Sequence, residues 1–464
     1  MATAPWFVVS PNGLLSLIGL MHGPDKTVPT PAEDWRQATV EVVIPAFREE
    51  DNIVHCLASL ARQTVKPKYV ILIDDGGGDA TCDRAREFAA SAGMDLTVIQ
   101  RQKPIGKTPS IKRQAREYDA DVEFILDADT FLVDVNYIER CVQELYQGVG
   151  IASACGTILP MRLVDRNQLA ATEPFQKYLG GRPWDDPFVQ HMKPIHHLWW
   201  AITNVYRDCL YRYLQRFVYH GQMVFFGSIT NPVGCAVAYR RKYIKNLFDH
   251  YEPIFGDDLT NSEDIFIGFA LNNEGYRNIQ LMDVTARSEE PEVQKLPRQL
   301  YLWSSSFLQS CYYFDALVTS PFKAPKRWWR ALKNKLSGTE AKIEELRKVK
   351  EQYRQPFGRE YTEKMGRPIG WVVLLSLLEK ISFPAAIIIM VALQWWEPLA
   401  VTLLGETALA ILVLALVSPG ERLKAIGKAI ITTPLRYALL LWDAVTITRF
   451  TFDLWITRNR KWRK

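Results

Sequence analysis

TVEVVIPAF (residues 39–47), YVILIDD (69–75), DLTVIQR (95–101) and VEFILDAD (122–129) are four β-branched apolar runs of strand length. The segments between them, EEDNIVHCLASLARQT (49–64) and ATCDRAREFAASAG (80–93), have helical composition. Short buried strands alternating with helices imply βαβ units and a mostly parallel sheet, so the expected fold class is α/β. Ligands of such sheets bind outside the carboxyl ends of the strands. The acids of this region cluster there: Glu49, Asp74 and Asp75, then Asp127 and Asp129.

Beyond residue 160 the composition changes. Residues 161–230 are rich in Trp, Tyr and His, and ITNPVGCAVAYRRKYI (229–244) is a further apolar stretch. NSEDIFIGFALNNEGYRNIQL (261–281) reads as helix, then strand. The whole chain has 464 residues, 48% hydrophobic and 23% charged, which excludes a disordered tail protein. Seven cysteines without a CxxC pair exclude a disulfide-stapled miniprotein and suit a reducing compartment.

Charge and hydropathy are unevenly placed. The net charge is +5, yet Lys323–Arg367 holds 14 Lys/Arg against 6 Asp/Glu and Arg458–Lys464 adds five cations with no acid, leaving the remainder near −8. A uniformly basic nucleic-acid binder would not divide this way, and no nucleic-acid partner is expected. Cations flanking apolar segments are the pattern of a cytoplasmic membrane face. Residues 369–396 and 398–418 are apolar enough to cross a bilayer. The stretch 425–457 mixes Arg436, Asp443, Arg449 and Asp453 with Leu, Trp and Phe, and suits a surface-lying amphipathic helix better than a third span. The expected division is a 1–38 interfacial or half-span segment, a 39–310 catalytic domain, 311–368 basic interfacial helices, a 369–424 transmembrane helix pair, and a 425–464 amphipathic helix with a basic tail. Two crossings put the catalytic domain and the C-terminus on the cytoplasmic side of an integral membrane protein.

Several motifs carry chemistry. Asp127-Ala-Asp129 at a strand end can hold one hard divalent cation, although Asp also fills solvated turns. LIDDGGGDAT (72–81) lets a backbone approach a ligand closely, and it is equally a glycine turn after a strand. IPAFREEDNI (44–53) places Pro45, Phe47 and Glu49 at the first strand end, where the acids also suit a helix N-terminus. GKTPSIKRQA (106–115) offers Lys107 and Lys112 to phosphates without the spacing of a P-loop. In SEDIFIGFALNNEGY (262–276) an Asp at a helix start can take a proton from a hydroxyl, while Ser262 and the acids after it also read as a helix cap; Asp257 and Asp258 compete for the same role. His196 and His197 have no partners at zinc spacing.

The order of these motifs, IPAFREE, IDDGGGD, GK…KRQ, DAD, GCAVAYRR and then ED ten residues before Gly275-Tyr276, resembles the family-2 inverting glycosyltransferases over about Val40 to Trp303. Within that family the chain looks most like the membrane-embedded, processive polysaccharide synthases of the hyaluronan, chitin and cellulose type; HHLWWAITNVYRDCLYRYL (196–214) is similar to the hyaluronan-synthase stretch before the glycine loop. The resemblance implies a GT-A type domain binding a UDP-sugar with Mg2+ or Mn2+. It implies Asp264 as general base with Glu263 in support, and Asp127 and Asp129 at the metal. The donor would meet Pro45, Phe47, Glu49, Asp74, Asp75, Lys107, Lys112, Asp127 and Gln299, and the acceptor Gly234, Cys235 and Trp303. The family's QxxRW motif is altered: Gln299-Leu-Tyr-Leu302-Trp303 has Leu302 where Arg stands, so Arg298 or a residue elsewhere would have to substitute. Two products follow from this resemblance: a growing β-linked polysaccharide, or a single sugar placed on a lipid such as a polyprenyl phosphate. Membrane lipid is an implied partner in both, and a homo-oligomer is left open.

Overall fold

The structure is a computed structural model that describes residues 7–22, 34–148, 150–255, 262–337 and 358–457. Eight strands form one sheet in the order β3-β2-β1-β4-β7-β6-β8-β5. The strands are β1 (Val40–Ala46), β2 (Tyr69–Asp74), β3 (Leu96–Gln100), β4 (Val122–Leu126), β5 (Thr130–Leu132), β6 (Ile151–Pro160), β7 (Ala236–Arg240) and β8 (Arg277–Ser288). β1 runs parallel to β2 and β4, β2 to β3, and β6 to β8. β7 is antiparallel to both β4 and β6, and β5 to β8. The mostly parallel α/β architecture expected from the four apolar runs is therefore present.

β1 and β4 are neighbouring interior strands and are buried along nearly their whole length. Helices on both faces explain why their sequences are near-continuous apolar runs rather than alternating ones. Helices Ile53–Ala61 and Thr81–Ala92 follow β1 and β2, and Lys107–Glu117 is a helix where the sequence suggested only a basic turn or phosphate contact. Burial is not purely apolar. Glu41 and Glu123 face each other in register on β1 and β4, both fully buried, with no hydrogen-bond partner for any carboxylate oxygen. Burial pushes Glu41 up to about 8, against the pull of Arg241, and pushes Glu123 well above the usual carboxylate range.

Among the described residues three C-terminal helices, rather than the two expected, are long and apolar enough to cross a membrane: Gly370–Ala392, Trp396–Leu416 and a third running from Arg422 to Ile456. The charges of the third suggest by themselves a surface-lying helix. Those charges turn inward: Arg436 meets Glu406 at 3.3 Å and Asp443 meets Lys380 at 3.0 Å. Paired charges inside a helix bundle do not face lipid, so they do not argue against a span. The outer face of this helix exposes Leu423, Ile431, Trp442 and Val445.

The N-terminal segment forms the helix Pro11–His22, docked on the same bundle. Glu406 accepts from the Val8 and Val9 amides at 2.7 and 2.8 Å, and Glu379 accepts from the Asn12 amide at 2.7 Å. These carboxylates answer N–H groups at a helix start that have no partner within the helix. The basic helix Ala324–Leu336 exposes Trp328 and Trp329. The rest of the expected basic helix, EAKIEELRKVKEQYR (340–354), the tail 458–464, and Asp257 and Asp258 lie outside the described residues.

Candidate functional site

The carboxyl ends of β1, β2 and β4 open on a cavity of about 210 Å3. Its walls include Pro45, Phe47, Glu49, Asp75, Lys107, Asp127 and Asp129. Asp75 accepts from the Ile105 and Gly106 amides at 3.0 and 2.7 Å and from Arg101 at 2.9 Å. Burial works against its charge, but those amides and Arg101 hold its carboxyl below the usual range. Asp74 turns the other way: it is 2% exposed and caps the glycine turn by accepting from the Gly77 amide at 2.9 Å. A Cβ on Gly77 would stand 2.8 Å from the Arg48 amide, which is why the loop after β2 needs glycine there. Lys112 is drawn off to Glu252 and does not reach this wall.

The two acidic motifs meet at Lys107. Its ammonium lies 2.7 Å from Asp127 Oδ1 and 2.7 Å from Glu263 Oε1, and it donates to the Gly234 carbonyl at 3.2 Å. Burial opposes the charge on Lys107, yet Asp127 and Glu263 keep it protonated well above its ordinary value. Asp127 is fixed from the backbone as well, since its amide donates to the Cys235 carbonyl at 2.9 Å. The helix Glu263–Glu274 begins here. Asp264 Oδ1 accepts from its neighbour's amide, Ile265, at 2.8 Å and from Ser262 Oγ, while Oδ2 accepts from the Gly234 amide at 3.2 Å. Asp127, Lys107, Glu263, Asp264, Gly234 and Cys235, distant in sequence, thus form one contiguous centre.

Glu49 and Asp129 also line a second, larger cavity of about 580 Å3. Its walls add Gln299, Glu289, Glu290, His196, Lys193 and Lys295. Glu289 and Glu290 were not singled out from the sequence. They lie just past the end of β8, the same strand-end position that marked the other acids. The Glu289 amide donates to the Asp129 carbonyl at 3.0 Å. Burial raises Glu290 to about 7 even with Arg207 beside it.

Arg207, on the helix Pro194–Tyr213, was also missed. It is 2% exposed, donates to Gln299 Oε1 at 2.5 Å, and lays its guanidinium 4.2 Å from the centre of the Trp303 ring. It fills the space between the two ends of the altered Gln299–Trp303 motif, while Arg298 points to solvent. His196 pairs with Glu292 at 2.8 Å rather than with a metal-ligand set.

Among the described residues no three His, Cys, Asp or Glu side chains are arranged to hold an ion unaided. The donor chemistry of Asp127 and Asp129 nevertheless fits Mg2+ or Mn2+. Such ions take one or two carboxylates and complete their shell with water and substrate phosphate oxygens. Burial raises both Asp127 and Asp129 to about 6, and the acids around them, Glu289 and Asp264, add to the crowding of negative charge that a dication would relieve.

Residues 41–248 match the model of the glycosyl transferase family 2 domain. Among curated relatives, an undecaprenyl-phosphate 4-deoxy-4-formamido-L-arabinose transferase of Pectobacterium carotovorum is 29% identical over 93 residues, 19% of this chain and 28% of that protein. A dolichol-phosphate mannosyltransferase of Pyrococcus furiosus is 29% identical over 91 residues, 19% of this chain and 25% of that one. The alignments thus span little more than a quarter of these relatives. A mannosyltransferase of Pyrobaculum calidifontis, solved with GDP-Man and Mn2+, superposes with a TM-score of 0.49 at 14% identity, over 96% of this chain and 94% of that one. Residues 41–248, which hold the strand-end acids Glu49, Asp75, Asp127 and Asp129, thus match a glycosyl transferase family 2 domain, and the chain has a GT-A-like α/β fold with, among the described residues, three C-terminal helices apolar enough to cross a membrane.

Proposed function

We propose that this chain transfers a sugar from a UDP-sugar to a hydroxyl or phosphate oxygen of an acceptor presented at a membrane, with inversion at the anomeric carbon. The observation that carries the reading is the Lys107 bridge, 2.7 Å to Asp127 and 2.7 Å to Glu263, which puts donor-side acids and the base helix in one cleft. The nucleotide occupies the smaller cavity against Asp75, Pro45 and Phe47. The sugar points past Asp129 and Glu49 into the larger one. Asp127 and Asp129 would hold Mg2+ or Mn2+, whose positive charge would offset the negative charge of a departing diphosphate. Glu263 is committed to Lys107, so Asp264 takes the proton of a hydroxyl acceptor; a phosphate acceptor brings an oxygen already ionised and needs no base. A positioned base of this kind contributes roughly 10²–10⁴ in rate. The three C-terminal helices and the N-terminal helix hold the domain at the cytoplasmic face.

The acceptor favoured is a lipid carrying a phosphate, such as a polyprenyl phosphate. The similarity to an undecaprenyl-phosphate sugar transferase and a dolichol-phosphate mannosyltransferase supports it, as does Leu302 in place of the motif arginine. A growing polysaccharide is the second reading, and the Gln299–Arg207–Trp303 stack beside the larger cavity favours it. Radiolabelled UDP-sugars supplied to purified protein in native lipid separate the two. One lipid-soluble product supports the first, and a ladder or smear of water-soluble product supports the second. No label transferred from any nucleotide-sugar sinks both.

A further inference from the structure

Glu49 and Asp129 line both cavities, so the larger one continues from the smaller beyond the ends of β1 and β4. At this junction one side chain ties two acids together. Asn52 Nδ2 donates to Glu49 Oε2 at 3.0 Å and to Glu289 Oε2 at 2.5 Å. The orientation of that amide is dictated from behind. Asn52 Oδ1 accepts from Arg166 Nη1 at 2.6 Å. Arg166 is fully buried; Asp186 holds it at 2.7 Å through both Nε and Nη2, and it donates to the Asp51 carbonyl at 2.8 Å. With its oxygen taken by a guanidinium, Asn52 turns its NH2 group to the two carboxyl groups.

Each carboxyl group then has one oxygen left for a ligand. Glu49 Oε1 and Glu289 Oε1 take no hydrogen bond from any described residue, neither is sealed from solvent, and both residues line the larger cavity. Among the described residues neither group is ion-paired. The cations around them are committed elsewhere: Arg166 to Asp186, Lys107 to Asp127 and Glu263, and Arg207 to Gln299 and Glu290. Arg48 donates to the Gly77 carbonyl, and Lys193 and Lys295 are exposed. Oxygens of this kind suit a ligand rich in O–H donors. A further carboxylate placed here would be desolvated beside two acids with no free cation to pair with, which is the costly arrangement.

We infer that the transferred sugar is an uncharged, hydroxyl-bearing hexose, and that Glu49 and Glu289, set by Asn52, select it over the corresponding uronate. This rests on the UDP-sugar reading above and narrows it to a class of sugar. Arg166 acts as a positioning residue, since it reaches the sugar only through Asn52.

The test is equilibrium dialysis of the full chain in non-ionic detergent with labelled UDP and Mn2+. Unlabelled UDP-glucose and UDP-galactose compete for the site beside UDP-glucuronate and UDP-galacturonate, which differ from them only in the carboxylate at C6. The better-bound hexose is expected to displace UDP about tenfold more effectively than its own uronate, a factor within the reach of like-charge repulsion at a half-buried site. Glu289→Gln, which keeps the shape of the side chain, should narrow that gap several-fold while labelled UDP binds as to the parent; retained UDP binding also shows that the variant is folded. A uronate that displaces UDP as well as its hexose, or a gap untouched by Glu289→Gln, overturns the inference. Loss of UDP binding in Glu289→Gln would put this residue on the nucleotide and overturns its assignment to the sugar. Failure of labelled UDP to bind the parent overturns the UDP-sugar reading and this inference with it, whereas UDP binding without discrimination overturns the inference alone.

Discussion

The Gly234 amide donates to Asp264 Oδ2 at 3.2 Å, and a Cβ on Gly234 would stand 2.7 Å from Asp264 Cβ. The loop entering β7 is thus moulded against the proposed base, with no room for a side chain. Gly234→Ala must push the start of the helix Glu263–Glu274 away from the cleft. A displacement near 1 Å at a reacting group typically costs on the order of 10²-fold in rate. Steady-state kinetics of this variant should show kcat reduced by about that factor with KM for the donor little changed. Loss confined to donor KM would place Gly234 on the nucleotide side instead.

Glu263 and Asp264 are adjacent in sequence and differently employed. Glu263 neutralises Lys107, whereas Asp264 is held by the Gly234 and Ile265 amides. Asp264→Asn should abolish transfer to a hydroxyl acceptor while UDP still binds. Glu263→Gln leaves Lys107 with Asp127 alone and should weaken UDP and Mn2+ binding before it touches chemistry. Equilibrium dialysis with labelled UDP, set beside turnover, distinguishes the two. Near-normal turnover in Asp264→Asn would remove it from the role of base.

Much of this centre was legible in the sequence because each strand ends in its own acid. β1, β2 and β4 announced themselves as uninterrupted β-branched runs, and Glu49, Asp75, Asp127 and Asp129 follow from their ends. The helix Glu263–Glu274 was readable from its acids after Ser262 and its stop at Gly275. What stayed hidden depends on three-dimensional pairing. Asp74 and Asp75 are equivalent on paper; only the turn geometry sends one inward to Gly77 and the other to the cavity. Arg207 lies 92 residues from Gln299, with no local signal tying it to that motif. Counting charges along the last helix does not show that Arg436 and Asp443 find Glu406 and Lys380 across the bundle.

Glu41 and Glu123 face each other in the core of the sheet with unpartnered oxygens, and burial raises Glu41 to about 8. A carboxyl whose folded value lies above its unfolded one binds a proton more tightly when folded, so ionising it costs stability. Stability at low pH is therefore undiminished by this group. It declines as pH rises from about 4.5, the unfolded value, towards 8. Glu41→Gln should lessen that decline, what remains belonging to Glu123, which burial also raises. Thermal midpoints between pH 5 and pH 9 should fall less for the variant than for the parent, and parallel profiles would contradict the assignment.

Asp127 and Asp129 are raised to about 6 by burial, each with acids close by. A dication binds their ionised forms, so binding must expel whatever protons they hold. At pH 6 a substantial fraction of a proton should leave per Mn2+ bound in the presence of UDP, and much less at pH 8. Calorimetry in two buffers of different ionisation enthalpy measures the release. Apparent Mn2+ affinity should fall as pH drops below about 6, and Asp129→Asn should diminish both effects. A release independent of pH between 6 and 8 would point to other ligands.

Arg207 stands where the altered motif lacks its cation, stacked 4.2 Å over Trp303, bonded to Gln299, and 3.5 Å from Glu290. Removing one partner of a buried ion pair leaves the other charge uncompensated, at a cost of about 3–5 kcal/mol. Arg207→Met should therefore lower the unfolding midpoint markedly. Arg207→Lys separates folding from positioning: it keeps the charge for Glu290 and loses the planar fork that holds Gln299 and covers Trp303. Its expected signature is near-parental stability with KM for the acceptor raised several-fold and KM for the donor unchanged. Were Arg207 instead to reach the diphosphate, the lysine variant would raise donor KM and weaken UDP binding. Paired acceptor and donor titrations on this one variant thus decide which side of the transferred sugar the guanidinium serves.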